Sequence, residues 1–300
     1  MALNLFFDEL RSEGERATSD VVERFRSSAF AGLRRTIGVT GEPPAPCLDP
    51  AEAYLAPDSI VRVVHADLPA MLVGGLSSLL LQMLHPLAMA GVAQHSDYRH
   101  DPLGRLERTA RFVGVTTFGT RDEAETSIAK VRSIHERVVG VTSEGAPYRA
   151  SDPELLTWVH VAEVRSFLTA AITYGPIDLP QADRDRYVAE MAPLAHDLGA
   201  STVPTTEAEL EEYLAEIRPV LAFTPEAREA RNFVLRGVRR WPHEIAGYAV
   251  LVSAATGILP TWAARQLRLP LVPLADRLAV RPAAQVLCGS MRWISAPEIR

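Results

Sequence analysis

The stretch LPAMLVGGLSSLLLQMLHPLAMAGVAQHS, residues 68–96, runs for 29 residues without an Asp, Glu, Lys or Arg. That length can span a bilayer. The run is not apolar throughout, however: Gly74, Ser77, Ser78, Gln82, His85, Pro86 and Gln94 interrupt it. Pro86 has no N–H to give the carbonyl of Gln82, so a helix through this stretch bends there and that carbonyl is freed. The reading is a buried central helix, with membrane contact at most peripheral.

Working outward, residues 1–45 read as a charged helical extension closed by the breaker GEPPAP at 41–46, and residues 46–300 as the main domain. Ser59 to His65 carries a weak strand-like alternation. Helix starts then follow in series. Asp101-Pro102 places an N-cap before a proline at the first helical position, leading through Leu103 to Phe112. Thr120 with Glu123 forms a capping box, and Gly140 is its natural stop. Ser151-Asp152-Pro153-Glu154 opens a helix toward Gly175. Thr206, Thr224-Pro225 and the apolar run Ile245 to Leu259, ended by Pro260, mark three more. With almost no strand alternation elsewhere, the fold class is all-α, a single helical domain.

The chain has 300 residues, 47% hydrophobic and 23% charged, the composition of a globular protein with a large core. Its 31 Lys and Arg against 37 Asp and Glu, with no long basic run, exclude a dedicated nucleic-acid binder. Cys47 and Cys288 are its two cysteines, which excludes a disulfide framework, a CxxC redox pair and a CxxCH haem attachment. The N-terminus MALNLFFDE lacks a basic leader region, so the expectation is a cytoplasmic protein. No HExxH, zinc spacing, GxSxG, GxGxxG or Walker loop occurs.

Candidate site residues come from helix faces. After Arg121, Ala124, Ile128, Val131 and Val138 form an apolar stripe, and His135 fills its gap, aimed inward. It is either a neutral core histidine bonded to a carbonyl or an axial ligand for haem iron. Arg105, Thr109, Phe112 or Val113, and Thr116 share one face of the helix before it. Arg105 either reaches a surface carboxylate or holds a buried anion, and Thr109 either bonds its own backbone or faces a substrate oxygen. His85 stands before the kink proline, where it ligates a metal or satisfies the freed carbonyl. His160 follows Trp158, with Glu163 one turn on to orient its ring. His95 and His100 read as solvated loop residues.

LLLQMLHP at 79–86, GVAQHS at 91–96, DPLGRLERT at 101–109, FGT at 118–120, HERVVG at 135–140, YRASDP at 148–153 and WVH at 158–160 stand in order. Together they resemble the MpaB-type oxygenase family, whose domain is also the catalytic core of rubber oxygenase, across roughly residues 60–260. The resemblance implies a helical fold enclosing non-covalent haem b, a histidine as proximal ligand, and oxidative cleavage of isoprenoid chains with dioxygen. By position it assigns the iron to His135, the arginine and threonine beside the haem to Arg105 and Thr109, and second and third ligand candidates to His160 and His85. Arg108 departs from the rubber-oxygenase branch, which has a lysine there, and Leu68 to Ser96 lacks that branch's glutamate base.

The expectation is therefore a haem-dependent oxygenase or oxidase acting with dioxygen on a small hydrophobic, isoprenoid- or polyketide-like molecule. Arg105, Arg108 and Thr109 are its candidate catalytic residues. The rivals are a haem carrier or sensor without turnover, and a metal-free helical interaction protein. Neither substrate identity nor oligomeric state follows from the sequence.

Overall fold

The computed structural model describes residues 46–237, 242–270 and 273–295; the expected extension at 1–45 lies outside them. In chain order the helices are α1 (Ile60–His65), α2 (Leu68–Gln82), α3 (Pro86–His95), α4 (Pro102–Phe118) and α5 (Arg121–Arg137). A two-stranded antiparallel hairpin follows, β1 (Val139–Val141) with β2 (Pro147–Arg149). Then come α6 (Pro153–Tyr174), α7 (Gln181–Leu198), α8 (Glu207–Glu216), α9 (Pro225–Arg236), α10 (Pro242–Gly257), α11 (Thr261–Gln266) and α12 (Arg281–Ser295). The all-α reading holds.

The uncharged stretch supplies the centre. α2 packs along α6 so closely that a Cβ added to Gly74 would lie 2.6 Å from the Phe167 ring and 3.0 Å from its Cα. One side of α2 places Leu80 and Leu81 in a core with Trp158, Val164, Tyr187 and Leu214. The other places Ala70 and Val73 against Ala170, Ala254, Ala255 and Cys288 of α6, α10 and α12. Asp67, at the start of α2, receives two hydrogen bonds from Arg292 of α12, each 2.7 Å, and Arg292 also donates to the Tyr174 carbonyl.

The chain does break at Pro86: α2 and α3 meet at 107°. The carbonyl of Gln82 accepts from the His85 backbone N–H (3.2 Å) and the Trp158 indole (3.3 Å). α6 alone among the described helices is long and apolar enough to cross a membrane, and 67% of that apolar window is buried inside the protein.

Local caps behave as expected. Asp101 accepts from Gly104 N, Thr120 and Glu123 close a capping box, and Thr206 and Thr224 cap α8 and α9. Several expectations need correction. Ser59 to His65 forms a helix and not a strand: the Ser59 hydroxyl accepts from Val61 N while Ile60, Val61 and Val64 bury together. α4 continues six residues past Phe112, and of the Ser151-Asp152-Pro153-Glu154 start it is Asp152 that caps α6. α5 ends at Arg137, and Gly140 lies in the β-hairpin, where a Cβ would strike the Tyr148 phenol at 2.5 Å.

Candidate active site

α4 and α5 are joined through Gly119 and Thr120, which makes the end of α4 and the start of α5 the closed end of the pair. Arg105, Arg108 and Thr109 lie in the first half of α4 and His135 in the last turn of α5, each away from that junction along its own helix. Burial is sparse: Thr116 and Thr117 are the buried residues of α4, and Ala124 and Ile128 those of α5. All four lie toward the closed end, where the pair rests on α1 and α7. The stripe on α5 thus runs from buried Ala124 and Ile128 to half-buried Val131, His135 and Val138.

The His135 ring makes no hydrogen bond among the described residues, and its Nδ1 is buried without a partner. The alternative of a core histidine bonded to a carbonyl is therefore not realised. His85, the residue before α3, packs against Trp158 with ring centroids 6.1 Å apart, and its Nδ1 is likewise buried and unpartnered. The carbonyl freed by Pro86 goes to the Trp158 indole, not to the His85 ring. His160 leaves Nε2 buried and unpartnered. Burial lowers the pKa of all three imidazoles: to about 4 for His85 against an opposing pull from Asp152, to about 4 for His160 with help from His196, and downward for His135. They are neutral at pH 7, the form in which an imidazole binds metal.

His65 is the contrast. Its Nδ1 meets the Thr117 hydroxyl at 2.8 Å and its Nε2 the Tyr187 hydroxyl at 3.0 Å, so this buried ring is fully used. His95 and His100 are exposed, as expected, and His100 pairs with Asp97 at 2.6 Å.

Arg105 is half-buried and donates to the Ser96 hydroxyl at 2.7 Å. Among the described residues no carboxylate pairs with it, so most of its donors are left over for an anion. Burial lowers its pKa. Arg108 is exposed and pairs with Asp101 at 3.2 Å. Thr109 is exposed and donates to the Arg105 carbonyl at 3.1 Å.

Phe112, Val113 and Thr116 continue the face of α4 into a cavity of about 10 Å³ at the closed end of the pair. Glu163 of α6 lines it and does not orient His160, with which it makes no hydrogen bond. Burial pushes the Glu163 carboxyl up to about 7. A signal for Glu163 was present in the sequence: with Arg165 it is one of two charges between Leu155 and Tyr174. Arg165 pairs with Glu211.

Among the described residues no cluster of three His, Cys, Asp or Glu side chains could hold a metal by itself. No curated protein and no solved structure matches the chain. A family profile described as the catalytic domain of ER-bound oxygenase mpaB/B' and rubber oxygenase matches residues 62–293. That span takes in the central helix, the α4–α5 pair and the unpartnered imidazoles, and it places this chain in the mpaB/rubber-oxygenase catalytic-domain family, as an oxygenase.

Proposed function

We propose that this oxygenase works with non-covalent haem b and uses dioxygen on a small hydrophobic substrate. The observation that carries the reading is the set of buried imidazole nitrogens at His135, His85 and His160 that no group among the described residues satisfies. A buried polar atom without a partner costs stability, and such an atom is retained where a ligand uses it. Iron held in a porphyrin needs one or two nitrogens from protein, and a full side-chain cage is unnecessary.

His135 is the proposed iron ligand. It sits in the last turn of a helix, and burial lowers its pKa so that the neutral form prevails at pH 7. Arg105 is suited to a propionate: its guanidinium is charged and has no carboxylate partner among the described residues. Arg108 is not a ligand candidate, because a guanidinium has donors and no acceptor to offer a metal; it holds Asp101. The haem, when bound, supplies the redox chemistry that activates dioxygen. Phe112, Val113 and Leu194 make an apolar wall for the substrate, with Thr109 preceding it on α4.

The test is the visible spectrum of the full chain after haem supplementation and gel filtration. A Soret band is expected in wild type, in His85→Ala and in His160→Ala, and its loss in His135→Ala. A band that survives in His135→Ala moves the ligand elsewhere, and no band in wild type removes haem from the reaction. Oxygen uptake with a hydrophobic alkene then separates an oxygenase from a carrier.

A further inference from the structure

Arg62 of α1 is only 6% exposed, and its Nη1 donates to the Cys47 carbonyl at 2.7 Å. Its Nε and Nη2 are buried and have no partner. Among the described residues no carboxylate pairs with it. The acids to either side in the chain are engaged or turned to solvent: Asp49 accepts from Ala51 N, Glu52 is exposed, Asp58 pairs with Arg186, and Asp67 receives Arg292. Glu190, which meets α1 from α7, accepts from the Ser59 hydroxyl, Ile60 N and Arg186. A guanidinium keeps its proton in a protein, so burial cannot neutralise Arg62 as it neutralises the imidazoles. A buried cation without a counter-charge is costly, and its retention implies an anion.

We propose that the edge of Arg62 formed by Nε and Nη2 is a carboxylate-binding site. That edge is a planar fork whose two N–H groups match the two oxygens of a carboxylate. Two other arginines of this protein use it so. Arg292 sets Nε and Nη2 on the oxygens of Asp67 at 2.7 Å each, and Arg99 sets them on Glu229 at 2.7 and 2.9 Å. The Cys47 carbonyl holds Nη1 and thereby fixes the plane of the Arg62 fork. Cys47 in turn donates its N–H to the Phe118 carbonyl at the end of α4, about 20 Å of helix beyond Arg105. The site is therefore separate from the one proposed for haem and does not depend on it. Two sources offer the same chemistry: a small free acid, and the side chain of Glu42. Glu42 lies outside the described residues, but it precedes Cys47 by five positions, so at most about 17 Å of extended chain separates them.

The probe is sodium acetate, compared with sodium chloride at equal ionic strength, and the readout is the thermal midpoint of the full chain by circular dichroism. If a free acid fills the fork, acetate should raise the wild-type midpoint by about 3 °C at roughly ten times its dissociation constant, and the rise should saturate. Arg62→Met should lose that response. If Glu42 fills the fork, wild type should ignore acetate, whereas Glu42→Gln should lower the midpoint by a similar amount and gain the response. In an Arg62→Met background Glu42→Gln should then change nothing. Either pattern supports the site and names its source. Arg62→Lys keeps the charge and loses the fork, so it stands in where Arg62→Met fails to fold, and it should respond to acetate no more than to chloride. The proposal is overturned if neither wild type nor Glu42→Gln distinguishes acetate from chloride, or if the acetate response is as large in Arg62→Lys as with arginine.

Discussion

Glu163 and the site histidines carry opposite signs of the same burial effect. Removal from water raises the acid to about 7 and lowers His85 and His160 to about 4, so all three favour their neutral forms. For Glu163 the folded-state value lies above the ordinary carboxylate range. Its retained proton therefore contributes stability fully below about pH 4.5, and that contribution is lost as the pH rises through about 7. Glu163→Leu has no such loss. Its unfolding free energy in urea should exceed that of wild type at pH 8 by on the order of 2–3 kcal/mol, and the gap should close near pH 4. A difference independent of pH would show that Glu163 is ionised in the folded protein. At this scale the inward aim of His135 was legible, because a stripe at steps of four, three and seven is a local property of one helix. Glu163 stands out in the sequence as a charge inside an apolar helix, but its lack of a partner was not legible, because that depends on what α1, α4 and α7 bring to it.

α2 and α6 are the elements whose fit is tightest. Gly74 faces the backbone as well as the ring of Phe167, so a methyl group there cannot be absorbed by a rotamer change alone. Gly74→Ala should push the two helices apart and cost about 1–3 kcal/mol, measured as a lower urea midpoint. An unchanged midpoint would mean the pair has slack. Starts such as Asp101, Thr120, Thr206 and Thr224 could be read directly, since a cap is a bond between residues two or three apart. The β-hairpin could not. Tyr148 is pinned by Gln94 of α3 at 2.7 Å, and Gln94 in turn donates to the Val141 carbonyl, so the strands take their place from a helix far back in the sequence. α1 misled for the same reason: Ile60, Val61, Val63 and Val64 favour a strand by type, and the helix prevails because it buries Ile60, Val61 and Val64 together.

Across the whole molecule, Arg292 ties the last described helix to the first turn of the central one. Asp67 is nearly buried, its side chain 8% exposed against 26% for Arg292. Arg292→Ala would strand that carboxylate and leave the Tyr174 carbonyl short of a donor, at a cost of about 3 kcal/mol. Hydrogen exchange should show α12 opening ahead of α2 and α6 in this variant. Uniform protection would place the anchoring of α12 in its apolar contacts with Ala254 and Cys288.

The α4–α5 pair stands apart from that tightly built centre, seated by Thr116, Thr117, Ala124 and Ile128 at one end while its outer turns carry the proposed reactive groups. Replacing Arg108 or Thr109 disturbs almost no packing, so this part of the molecule can change its chemistry at little cost in foldability. Descendants of such a chain can therefore acquire new reactions on an unchanged scaffold. Laboratory evolution has its natural starting library in the first two turns of α4.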